Sequence, residues 1–113
     1  MTDLFKYHFR PSYGSNELLI EIFTNVDRED FMDHFYDTIS VMEPIIEDVK
    51  DLWMNDEVLF TVRTKFGDLL FSKDAWGTAF VMSKNQDCLG RVNSLLESNS
   101  KFHNVEVDFG QYK

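Results

Sequence analysis

His34 stands one helical turn after Asp30 and nearly one turn before Asp37. On a helix this spacing brings an imidazole and two carboxylates to one side, where they could approach a metal ion. The plainer reading is an acidic helix face that carries a histidine, and no second histidine is placed to complete a site, so no metal is expected. Cys88 falls near the start of a helical pattern, where the helix dipole favours a thiolate, with His8 or His103 as conceivable bases. Yet Cys88 shares an apolar stripe with Val92 and Leu95, and a buried free cysteine behaves as a small hydrophobe. The third candidate is a charge distribution. Residues 27–57 hold eleven acids and two bases, whereas the rest of the chain holds nine of each. The whole net charge of −9 therefore lies in one 31-residue stretch. A field that concentrated steers a cationic partner.

Other chemistry has no foothold. Gly14, Gly67, Gly77, Gly90 and Gly110 are isolated, so there is no glycine-rich phosphate loop. No carboxylate pair sits in an apolar setting that would split its pKa values, and no serine elbow is present. The chain is therefore expected to be no enzyme and to need no cofactor. A single cysteine excludes a disulfide framework or a cysteine-based zinc module. Direct nucleic-acid binding conflicts with the acidic balance, since phosphate must be neutralised by a basic surface. The patch of Lys6, His8 and Arg10 is too small to do so. No secretory signal is visible, and the longest apolar runs are too short to span a membrane, so a cytoplasmic protein is expected.

The elements that must position these groups follow from periodicity. With 113 residues, 43% hydrophobic and 15% aromatic, the chain fits one α+β domain over 1–113 with a well-filled core. Residues 4–10 alternate apolar and basic, and residues 18–23 alternate again, which predicts two strands and a hairpin. Asn25 or Asp27 would cap the helix that follows, with Phe31, Met32, Phe35, Ile39 and Met42 on its inner face. Pro44 breaks that helix and opens a second one. There Ile45, Ile46, Val49, Leu52 and Trp53 would face inward, and Glu47, Asp48 and Asp51 outward. Strands are expected near 58–63, 69–73 and 78–83. A second helix capped by Asn85 follows, with Cys88, Leu89, Val92, Leu95 and Leu96 inward. A last strand is expected over 102–109. The order ββ-α(α)-βββ-α-β predicts a mainly antiparallel sheet of about five to six strands with helices packed on one face.

Two functional readings follow. In the first, the acids Asp30, Asp33, Asp37, Glu47, Asp48 and Asp51 form a docking face for a basic protein, and Trp76 or Tyr112 supplies an exposed aromatic anchor. In the second, the broken helix imitates nucleic acid and regulates a DNA-binding protein. Eleven acids over ~31 residues at ~1.5 Å rise give about one charge per 4 Å. That is close to the ~3.4 Å per charge of one DNA strand but sparser than the ~1.7 Å of a duplex. The acids fan around the helix, so a compact protein interface fits better. A solvated face that only keeps the protein soluble is the bland alternative. A small enzyme using Cys88 or His34 is the remaining one.

In size, single-domain α+β character and the acidic surface of residues 27–57, the chain resembles the small acidic immunity proteins of bacterial toxin systems, contact-dependent growth inhibition included. The resemblance implies a cytoplasmic protein that binds one cognate toxin, often a basic nuclease, and blocks its active site.

Overall fold

The computed structural model describes residues 5–11, 17–26, 28–52, 57–73 and 77–105, with the backbone alone at 48–52 and 57. The alternating N-terminal segments form strands β1 (Phe5–Pro11) and β2 (Leu18–Ile22), paired antiparallel with Phe9 opposite Ile20. Helix α1 (Phe31–Thr38) follows, and a short 3-10 turn at Ser40–Met42 ends on Glu43 in the left-handed region. Four consecutive strands come next: β3 (Ile45–Leu52), β4 (Glu57–Thr64), β5 (Gly67–Lys73) and β6 (Ala79–Met82). Helix α2 (Gln86–Ser98) leads to β7 (Phe102–Asn104).

All seven strands lie in one sheet in the order β3-β4-β5-β6-β2-β1-β7. The β3–β6 meander closes on β2 by antiparallel pairing of β6, and β7 lines up parallel to β1, with Phe5 opposite Phe102. The sheet is thus α+β as expected, but mixed and seven-stranded rather than of five or six strands. After β6 the chain passes β2 and β1 by way of α2 and enters β7 in the same direction as β6 and β1, a crossover that the expectation of hairpins alone overlooked.

The larger correction is at Ile45–Leu52, which is β3 and not the second half of a broken helix. The spacing of Ile46 and Val49 suits a helical face, but a β-bulge between Ile46 and Asp48 gives the strand one extra residue. With that residue absorbed, Ile46 lies opposite Val62 and Val49 opposite Phe60, two positions on one face of β4. Ile45, Ile46 and Val49 are β-branched, and a paired neighbour lets that preference win. The preceding helix stops before Pro44: α1 ends at Thr38, and Ile39 and Met42, expected on its inner face, are buried from the turn that follows. The cap also differs: Asp30 is the N-cap residue of α1, and its side chain makes no capping bond. Asn25, with φ 60°, instead sits in a turn whose carbonyl accepts from the Arg28 amide. Asp27 lies outside the described residues.

Both helices cover the same face of the sheet. Phe5 meets Phe31 of α1 edge-on at 5.2 Å between ring centroids, and the Tyr7 hydroxyl donates to Asn93 Oδ1 of α2 at 3.0 Å. Phe71 on β5 lies at the middle of the core, with Phe60, Phe35 and Phe31 rings at 4.7, 5.6 and 6.1 Å. Burial of each such side chain contributes about 1.5–3 kcal/mol. The β4–β5 turn needs Gly67, at φ 139°, because a Cβ there would press on Asn85 and on Cys88 Cβ at 3.3 Å. Asn85 caps α2 as expected, its Oδ1 accepting from the Cys88 amide at 3.1 Å. The apolar stripe of α2 is buried through Cys88, Leu89, Val92 and Leu96.

Candidate interaction surface

Helix α1 buries Phe31 and Phe35 and leaves Asp33 and Asp37, four residues apart, exposed on its outer side. Among the described residues neither carboxylate has an ion-pair partner. Asp30 behaves differently. Arg28 donates to it from Nε at 2.9 Å and from an Nη at 3.1 Å, and His34 Nε2 lies 3.1 Å away. The Arg28 hydrogen bonds chiefly, with those of His34 added, hold its carboxyl well below the usual carboxylate range. Its charge is therefore locally matched, whereas those of Asp33 and Asp37 face outward.

Downstream, Glu43 pairs with Lys65 at 3.6 Å, and Glu47, at the bulge of β3, pairs with Arg63. The register sets Asp48 opposite Thr61 and Asp51 opposite Val58. The helical face that would have gathered Glu47, Asp48 and Asp51 does not form, because these residues belong to the edge strand of the sheet. Charges on an edge strand, together with a bulge, discourage pairing with another copy of the same edge. Trp76 and Tyr112, the expected aromatic anchors, lie outside the described residues, as does Trp53.

Periodicity did not reveal the apolar part of this surface. Val41 is 60% exposed, Ile45 61% and Ile46 45%, and among the described residues only Leu70 is a further large hydrophobic of this kind. Three of the four thus fall within six residues of the acidic segment. The run of acids around them was the only available signal, since Ile45 and Ile46 read as core on the helical spacing expected there.

His34 does not assemble the arrangement its spacing allowed. Asp30 meets one ring nitrogen, and Lys101 Nζ donates to Nδ1 at 3.2 Å from the turn between α2 and β7. Asp37 is not part of the group, and among the described residues no three metal-ligating side chains converge. The ring packs against Phe5 at 5.8 Å between centroids, and the neighbouring Thr38 hydroxyl accepts from Asn99 at 2.9 Å. The set works as a polar clasp between α1 and the α2–β7 turn. Cys88 is buried, with Sγ 3.6 Å from Thr64 Oγ1, as the core reading of its stripe requires. On the sheet face away from the helices, Arg10 is buried and paired with Glu21 at 2.7 Å. Its charge is thus matched within the fold.

Two grooves border these elements. One, of about 630 Å³, runs over the helix-free face between β4 and β2 and includes Leu19, Thr61, Leu70 and Met82. The other, of about 590 Å³, lies between the 3-10 turn, the β4–β5 turn and α2. Neither is lined by His34. Among the described residues no helix is long and apolar enough to cross a membrane. Comparison with protein-family models, curated proteins and solved structures finds no match to this chain.

Proposed function

We propose that this protein is a non-catalytic binding module that acts in the cytoplasm as an immunity protein. Its partner is a cognate basic toxin of the nuclease type, bound through the acidic surface of α1 and β3. One observation carries the reading: the segment that holds all the net charge also holds three of the four exposed large hydrophobics among the described residues. A surface that served only solubility would have no use for Val41, Ile45 and Ile46 beside its acids. Asp33 and Asp37 supply long-range attraction. The apolar residues supply area that can be desolvated, and Trp76 or Tyr112 is the proposed aromatic anchor.

Imitation of nucleic acid has less support. That reading rested on a broken acidic helix across residues 27–57, whereas α1 is 8 residues long, or about 12 Å, and Ile45–Leu52 is a strand.

The test is capture of partners by the tagged protein from its native host, at low and moderate salt, with the neighbouring reading frame co-expressed. One stoichiometric partner, toxic when expressed alone, is the expected result. Release of many DNA-binding proteins together by salt would favour the mimic, and an empty capture would count against both. In the same assay, Asp33→Lys, Asp37→Lys, Glu47→Lys and Asp51→Lys combined should abolish protection while the circular dichroism spectrum is kept. Full protection by that folded variant would overturn this placement of the interface.

A further inference from the structure

The groove of about 590 Å³ beside α2 has a chemistry unlike the rest of the surface. Its apolar lining includes the exposed Val41 and the side chains of Phe66 and Leu95. Its cations are Lys65 and Arg91, in a protein of net charge −9. Lys65 is engaged by Glu43 at 3.6 Å. Arg91 is not so engaged. Its guanidinium lies over the Phe66 ring, Cζ 4.0 Å from the centroid, and among the described residues it has no carboxylate or carbonyl partner. Asp87 stands one turn earlier on α2 and also lines the groove, yet it forms no ion pair with Arg91. A guanidinium held over an aromatic ring by cation–π attraction does not use its N–H donors in that contact and can offer them to a planar anion.

Gly90 gives an independent sign. It sits inside α2, where glycine is a poor helix former. No left-handed φ requires it, and a Cβ built there would meet none of the described residues within 4 Å. Neither backbone conformation nor packing among the described residues accounts for the glycine. What its lack of a side chain does is keep the groove open down to the helix backbone.

We propose that this groove binds a small organic monoanion, a carboxylate with a short apolar body. The carboxylate pairs with the Arg91 guanidinium, and the apolar body lies over Gly90 against Leu95 and Val41. The volume is in the range of small-molecule sites, and a few placed polar groups on an apolar lining are their usual composition. The acidic surface does not forbid an anion here. Charges further than about 8–10 Å away are largely screened at physiological salt, and Glu43 is matched by Lys65. Among the described residues Asp87 is the one carboxylate that lines the groove, and it stands a turn before Arg91, at the other side of Gly90 from Leu95. The site adjoins the proposed partner surface at Val41, but its readout at Phe66, Gly90, Arg91 and Leu95 lies off that surface, so either can fail without the other.

The test titrates 3-phenylpropionate and its neutral analogue 3-phenylpropionamide into the isotopically labelled full chain, followed by amide NMR. Saturable shifts confined to Phe66, Gly90, Arg91 and Leu95 are expected for the acid. Its affinity should be millimolar or tighter, as for a ligand of about ten heavy atoms. The amide and the Arg91→Gln variant should each bind at least tenfold more weakly. Gly90→Leu should abolish binding while the melting temperature holds or rises, an outcome that misfolding would not mimic. No saturable shift, shifts spread over the surface, equal affinity for acid and amide, or binding retained in Gly90→Leu would each overturn the site.

Discussion

Tyr7 and Tyr36 show how one side-chain type takes opposite roles when buried. The Tyr7 hydroxyl donates to Asn93 Oδ1 at 3.0 Å, and burial, with Glu97 nearby, pushes its pKa up. The Tyr36 hydroxyl is also buried but has no hydrogen-bond partner among the described residues. Tyr7→Phe should therefore cost about 1 kcal/mol, whereas Tyr36→Phe should be neutral or stabilising by up to about 1 kcal/mol. Urea midpoints of the two variants check this contrast. Asp30 gives a pH-dependent case. Its folded pKa is depressed below the unfolded value of about 3.9. Its contribution is thus complete above about pH 4 and is lost as pH falls through the folded pKa. Asp30→Asn should be less stable than the parent at neutral pH, with the gap narrowing as the solution is acidified below about pH 4. Unfolding curves across that range measure it, and a gap independent of pH would show that the Arg28 and His34 contacts do not act through charge.

Among the elements, α2 and β3 make the clearest contrast. The start of α2 was legible because Asn85 carries its own signal: a short side chain that accepts from the amide three residues on. Asn85→Ala should remove this bond and the one from Nδ2 to the Phe66 carbonyl at 3.0 Å, costing about 1 kcal/mol. Thermal denaturation would show a loss of about 4–8 °C in a domain of this size. In β3 the local signal misleads. A helical spacing of apolar residues and a strand with a bulge give the same sequence pattern, and the choice between them depends on whether β4 is present to pair. The consequence for function is direct. Acids that would have shared one helix face belong instead to an edge strand, and Glu47 is held there by Arg63 of the neighbouring strand.

For the molecule as a whole, one aromatic centre ties the long connections together. Phe71 touches rings from α1 and from β4, so it links the helix layer to the meander. Phe71→Ala should cost about 3–5 kcal/mol, a large share of the 5–15 kcal/mol available to a typical domain. Urea unfolding followed by both tryptophan fluorescence and circular dichroism would test this, and a cost below about 1 kcal/mol would mean that the core readily collapses around the gap. The charge distribution also acts at this scale. A field set by one segment promotes association with a basic partner and weakens with salt. The charge-reversed variant should therefore lose both association rate and its salt dependence.

The sequence alone determined the amphipathic elements with a local cause. These are the β1–β2 pair with its alternating residues, the Phe31 and Phe35 face of α1, the Asn85 cap and the buried stripe containing Cys88. It also determined that the net charge lies in residues 27–57, since charge is additive along the chain. The tertiary structure decided the rest, because those outcomes depend on partners distant in sequence. Val62 and Phe60 turn Ile45–Leu52 into a strand, and β1 draws Phe102–Asn104 into parallel register. Arg28 and His34 neutralise Asp30, while Asp33 and Asp37 are left facing solvent. Arg91 comes to lie on Phe66 beside Gly90, making a groove between three elements that no stretch of the sequence contains.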